Sequence, residues 1–318
     1  MCLGKRAVVV LESNNLVAEV CGANDENLKE LESLFGLRVL SRGNEVHIES
    51  NDPAVRELFS TVLRELESMA RRGQNPGPAV IRSLYRSLST QEDNSVELLK
   101  SKSITVPGGF KSVYPKGAAQ AAFIEGLDSY DMSFCVGPAG TGKTFLAVAH
   151  ALSQVLSKQR RKLILTRPVV EAGESLGYLP GDLSQKISPY LRPLYDAMES
   201  LIPADIIARM DENRMIEVAP LAYMRGRSLR DCYVILDEAQ NTTQEQMKMF
   251  LTRIGEGSTA VITGDITQID LPKSHRSGLI QALEILRDID EIHMSYFAGR
   301  DVVRSALVRK IVSAYESQ

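Results

Sequence analysis

"GPAGTGKT", residues 137–144, fits Gly-x-x-x-x-Gly-Lys-Thr without a mismatch. In front of it stands "MSFCV" (132–136), short and apolar, as a parallel strand buried on both faces should be. Behind it, "FLAVAHALSQVL" (145–156) places apolar residues at helical spacing. Strand, glycine loop and helix in that order make a phosphate site. Gly137, Pro138, Ala139, Gly140, Thr141, Gly142, Lys143 and Thr144 are expected to cradle a nucleotide, with backbone N–H groups turned inward and the helix N-terminus adding its dipole. Lys143 reaches for the β- and γ-phosphates, and the Thr144 hydroxyl is a Mg²⁺ ligand.

A phosphate loop binds; it does not hydrolyse. The second half of a hydrolytic site is expected in "CYVILDEAQNTT" (232–243), an apolar strand that ends in two acids. At the carboxyl edge of a parallel sheet these acids face the same crevice as the loop. Asp237 is placed to hold Mg²⁺, and Glu238 to orient and polarise an attacking water. Thr243 and Gln246 form a capping box that starts the next helix. The following strand, "STAVITGDITQID" (258–270), closes on Gly264-Asp265, with Gln268 three residues on. An amide there can touch the γ-phosphate and report its loss.

Working outward, strands are expected near 132–136, 162–166, 215–218, 232–236, 259–263 and 291–296, alternating with helices. That rhythm indicates an α/β fold with a mostly parallel sheet. The first seventy or so residues read as a separate small α+β unit. "LVAEVCG" (16–22) reads as a strand, and "NDENLKELESLFG" as a helix stopped by Gly36. "LRVLSRGNEVHIES" reads as two strands turning at Arg42-Gly43-Asn44, with Val46 and Ile48 inward. Asp52 and Pro53 open a second helix whose stripe runs from Val55 to Met69. The boundaries drawn are 1–72 for this unit, 73–102 for a linker and 103–318 for the nucleotide-binding domain. "SITVPGGFKSVYPK" (103–116) reads as a hairpin.

The 318 residues carry a net charge of −3, so no global basic character marks a nucleic-acid binder. Cys2, Cys21, Cys135 and Cys232 are dispersed, which favours reduced thiols over disulfides or zinc. The apolar run near the start is too short for a signal peptide and nothing approaches a membrane span. A cytoplasmic location is expected.

"GPAGTGKT", "LTRPVVEAGESLGYLPGD", "MRGRSLRDCYVILDEAQNTT", "LTRIGEGS", "TGDITQIDLP" and "DVVRSALVRKIVSAYE" together resemble the PhoH family. The resemblance runs from about residue 103 to the end and more loosely through the first seventy residues. It implies a single RecA-like core related to superfamily 1 helicases, ATP and Mg²⁺ as ligands, ATP hydrolysis, and a link to RNA metabolism. RNA remodelling, or partnership with an RNA-processing nuclease, follows from it. Gln268 is implied as the γ-phosphate contact, and Gln120, in "YPKGAAQAAFIEGL", as the residue reading the adenine edge. Thr166 and Arg167, at the end of the second core strand, match the position that touches a nucleic-acid strand. The amino-terminal unit is similar to a KH fold, but "GAND" (22–25) has Asp25 where the nucleic-acid-clamping loop has its second glycine. An acid there repels phosphate. A helicase closes its site with an arginine from a second lobe, so here the arginine is expected from a neighbouring subunit, in a homo-oligomer such as a hexameric ring. Arg304 is preferred, with Arg225, Arg227 and Arg253 as alternatives. Two other classes compete: a nucleotide-dependent switch or scaffold with slow hydrolysis, and a small-molecule kinase.

Overall fold

The computed structural model describes residues 6–74, 76–90, 101–110, 112–168, 192–272, 275–303, 308 and 311. The chain divides into two compact units, 1–102 with 114–121, and 103–113 with 122–318.

The first unit runs β1 (Arg6–Val10), α1 (Asn14–Cys21), α2 (Glu26–Phe35), β2 (Val39–Arg42), β3 (Glu45–Glu49), α3 (Pro53–Arg71) and α4 (Pro78–Thr90). Its strands form an antiparallel sheet in the order β1-β3-β2. This β-α-α-β-β-α order is KH-like, and Gly22–Asp25 occupies the connection between α1 and α2. Val46 and Ile48 point inward and meet Phe59, Leu63 and Leu66 of α3 in one core. Each such side chain contributes roughly 1.5–3 kcal/mol by leaving water. Asp52 caps α3 by accepting from the Ala54 N–H at 2.9 Å, with Pro53 in the first turn. Val80, Ile81 and Leu84 of α4 complete the same core, within the stretch read from sequence as linker.

One expectation fails here. Residues 16–21 are helical, not a strand, and the strand of this region is Arg6–Val10. The Ser13 hydroxyl accepts from the Leu16 N–H at 3.3 Å and so starts a helix that buries Val20 and Cys21. In β1, Val9 is buried while Val8 and Val10 face outward, the period of two that a half-covered strand requires.

The second unit contains α5 (Ala118–Ser129, shared at its start with the first), β4 (Met132–Val136), α6 (Lys143–Leu156) and β5 (Lys162–Arg167). Then follow α7 (Ala204–Glu212), β6 (Ile216–Pro220), β7 (Cys232–Leu236), α8 (Gln244–Leu251), β8 (Thr259–Gly264), α9 (Gly278–Leu286) and β9 (Ile292–Tyr296). Six strands pair in the order β6-β5-β7-β8-β4-β9, and every pairing is parallel. All residues of β7 and β8 are buried, which is why they read as unbroken apolar runs. Strand β8 lies between β4 and β7, the order of a RecA-like core. The ends of β4, β8 and β7 therefore follow one another along a single sheet edge. The hairpin at 103–113 is present as an antiparallel bridge between Ile104 and Val113.

At the far edge, Glu217 on β6 binds Arg227 through both oxygens and Lys162 Nζ at 2.5 Å. The Arg227 and Lys162 bonds hold its carboxyl well below the usual range, at about 2. A depressed carboxylate stabilises the fold above its unfolded pKa, and that contribution is lost as pH falls through the folded value. Glu217→Gln is therefore expected to lower Tm at pH 7. The difference from the parent should shrink as pH is taken below about 4.5 towards 2 in thermal melts. A pH-independent difference would assign the loss to packing. Among the described residues Cys21, Cys135 and Cys232 are free buried thiols. No helix there is long and apolar enough to cross a membrane.

Candidate nucleotide-binding site

Backbone conformation explains the glycines of the loop. Gly140 (φ 80°) and Gly142 (φ 87°) adopt left-handed geometry that a side chain would resist. Thr141 donates to the Pro138 carbonyl at 2.8 Å and tightens the turn. Lys143, the first residue of α6, folds back over the loop and donates to Gly137 O at 2.6 Å and Pro138 O at 2.9 Å. Its ammonium is buried, and burial lowers its pKa. From the other side, Phe297 N donates to Val136 O at 2.7 Å and Val303 N to Gly140 O at 2.8 Å, so the chain after β9 braces the loop.

The loop forms one wall of a cleft of about 250 Å³ whose lining includes Lys143, Thr144, Asp237, Glu238, Asp265 and Gln268. Thr144 Oγ1 donates to Asp237 Oδ1 at 2.8 Å, and Thr263 Oγ1 to the same oxygen at 2.7 Å. Burial, and next the neighbouring charge of Glu238, raises the Asp237 pKa. A hydroxyl beside a buried, under-compensated carboxylate is a hard-oxygen pair suited to a divalent cation. The described residues contain no cluster of three or more side chains that would cage a metal alone. Mg²⁺ fits this pattern, since it takes one or two protein oxygens and completes its shell with phosphates and water.

Glu238 stands in left-handed backbone geometry (φ 53°), a conformation a non-glycine residue adopts only under constraint. Arg167 Nη2 donates to its Oε1 at 2.7 Å, and Gln240 Nε2 to its Oε2 at 2.5 Å. Gln240 also donates to Gln268 O at 3.1 Å and accepts from Asp265 N at 2.9 Å through Oε1. Asn241 fastens the same loop, donating to Asp270 Oδ2 at 3.3 Å and accepting from Asp270 N at 2.8 Å. Asp265 in turn accepts from the Ala139 N–H at 3.1 Å. The glycine before it is obligatory for space: a Cβ at Gly264 would sit 2.5 Å from Leu279 Cδ2 and 3.0 Å from Gln240 Oε1.

The structure thus brings Gly137–Thr144, Asp237, Glu238 and Gln268 to one sheet edge. Gln120 is not among the residues lining the cleft; its amide oxygen accepts from Lys116 N at 2.7 Å, at the start of α5. Arg304 lies outside the described residues. Arg227 is committed to Glu217, Arg225 is exposed, and Arg253 Nε is buried without a hydrogen-bond partner. Arg167, expected to face a nucleic-acid strand, pairs with Glu238. Gln240 and Asn241 are not singled out by the sequence reading; their place one residue after Asp237-Glu238 is the available signal.

Loop, strand order and paired acids define a P-loop nucleotide-binding protein. More narrowly, the profile of the family described as PhoH-like protein matches residues 112–316, and the chain belongs to that family. A PhoH-like protein of Mycobacterium tuberculosis (strain ATCC 25618 / H37Rv) is 48% identical over 302 residues, covering 95% of this chain and 85% of its own. One from Bacillus subtilis (strain 168) is 45% identical over 300 residues, 93% of each chain. Protein PhoH of Escherichia coli (strain K12) is 42% identical over 205 residues, 64% of this chain and 58% of its own. Among solved structures, a Pif1 helicase from Candida albicans overlaps 57% of this chain and 39% of its own at a TM-score of 0.30 and 16% identity. That likeness is too distant to carry an argument.

Proposed function

We propose that this protein is a Mg²⁺-dependent ATPase whose turnover is coupled to RNA, as a remodelling motor or as the partner of an RNA-processing nuclease. The observation that carries the hydrolytic reading is the pairing of two unlike acids in one cleft. Asp237 is buried against two hydroxyls, while Glu238 is partly exposed beside the phosphate loop. Thr144 and Asp237 would hold Mg²⁺, which when bound neutralises phosphate charge and polarises the bond to be broken. Lys143 binds the β- and γ-phosphates, Gln268 contacts the γ-phosphate, and Glu238 accepts the proton of the attacking water. Among the described residues lining the cleft there is no arginine. In this reading a closing arginine, with Arg304 the first assignment, comes from a neighbouring copy in a homo-oligomeric ring, and the protein works in the cytoplasm.

The link to RNA rests on the family. The slow-switch reading has its own support, because both oxygens of Glu238 already have donors. Phosphate release from Mg-ATP, measured with and without poly(U) and alongside native mass, tests the choice. Mg²⁺-dependent release that rises with poly(U) in an oligomer is the expected result. Slow release indifferent to RNA would favour the switch, and no release in either arm would end the ATPase reading.

A further inference from the structure

Arg167 is the last residue of β5, and β5 pairs directly with β7, whose end carries both acids. From that neighbouring strand its guanidinium lies 2.7 Å from Glu238 Oε1 and 3.9 Å from Asp237 Oδ2. With the Gln240 amide on Oε2 at 2.5 Å, Glu238 meets a donor at each oxygen. Each oxygen keeps a second lone-pair site for water, but a carboxylate clamped between two donors is held in place and shares its charge with a cation. The Gln240 contact is anchored from behind, since its Oε1 holds Asp265 N at 2.9 Å. The Arg167 contact sits at the sheet edge, with the two side chains 19% and 36% exposed, where a competing anion can reach it.

We propose that Arg167 is a brake on Glu238, and that a phosphate-ester anion releases it by taking the guanidinium. This rests on the ATPase reading above. A guanidinium accepts phosphate in place of carboxylate with the same forked geometry, so the exchange needs no new kind of bond. The anion is the backbone of a nucleic-acid strand, since the nucleotide's own phosphate is present at every turnover and would leave the parent unbraked whenever ATP is bound. Arg167 in this role is a positioning residue: it acts on the reaction through Glu238.

The test compares the full-length parent with Arg167→Ala and Arg167→Lys. Phosphate release at saturating Mg-ATP is measured with and without poly(U), and a fluorescent ATP analogue confirms that each variant still binds nucleotide. Arg167→Ala is expected to raise RNA-free turnover about tenfold, the worth of one charge-assisted bond. Arg167→Lys, keeping the charge but not the fork, should fall between. If poly(U) then adds nothing to the alanine variant, the strand is the releasing anion. If poly(U) stimulates it as strongly as the parent, the strand does not act through Arg167 and the release is overturned. Alanine turnover at or below the parent's, with analogue binding intact, would overturn the brake and leave the ATPase standing. No phosphate release from parent or variants in either arm would overturn both.

Discussion

Glu238→Gln is expected to bind ATP as the parent does and to hydrolyse it between a hundred and ten thousand times more slowly, the range a general base supplies (about 10²–10⁴). The substitution keeps size and removes the proton acceptor. It also disturbs the bracket around the residue, because its new NH₂ must face one of two donors, Arg167 Nη2 or Gln240 Nε2, where an oxygen stood before. The phosphate contacts proposed for Lys143 and Mg²⁺ would be untouched, so the loss would belong in the chemical step. Single-turnover phosphate release beside an analogue titration separates the two quantities. Hydrolysis at the parent's rate would remove Glu238 from its assigned role.

Lys143→Ala is expected to abolish nucleotide binding. The ammonium holds the loop together through Gly137 O and Pro138 O, at 2.6 and 2.9 Å, and lines the cleft proposed for the phosphates. Burial sets its folded pKa below the ordinary lysine value. Charged lysine therefore costs the folded protein stability, a cost that fades as pH rises through the folded value. A triphosphate supplies the missing counter-charge. With ATP at a hundred times Kd the parent should gain about 2.7 kcal/mol, visible as a higher Tm. The alanine variant should show no rise at the same ATP concentration. A variant whose Tm still climbs with ATP would take Lys143 off the phosphates.

Much of the core fold was legible because its signals are local. The central strands, buried on both faces, announce themselves as apolar runs, and the phosphate loop and the Asp237-Glu238 pair each occupy consecutive residues. What sequence could not show was which strand ends become neighbours. Arg167 and Glu238 are far apart along the chain and adjacent only because β5 pairs with β7. The resemblance to helicases assigns Arg167 to a nucleic-acid strand, and sequence alone says nothing of Glu238 beside it. Gln240 was likewise invisible as a bracket, since its partners Asp265 and Gln268 arrive with the next strand. The error at 16–22 has a different cause. Leu16, Val17, Val20 and Cys21 satisfy a helical stripe as well as a strand of β-branched residues, and the Ser13 cap decides between them.

The pairing of β4 sets an order of events during synthesis. Met132 of β4 lies against Ala260 of β8 and Ile292 of β9, strands that leave the ribosome long after it. The phosphate loop cannot take its final form until β9 is available, and the brace from Val303 comes later still. The KH-like sheet, by contrast, is closed within Arg6–Glu49 and can form while the rest is being made. Contacts between distant parts of a chain are slow to find. A nascent chain halted before β9 would therefore carry a folded amino-terminal unit and an exposed, unbraced loop strand, a species for chaperones rather than for nucleotide.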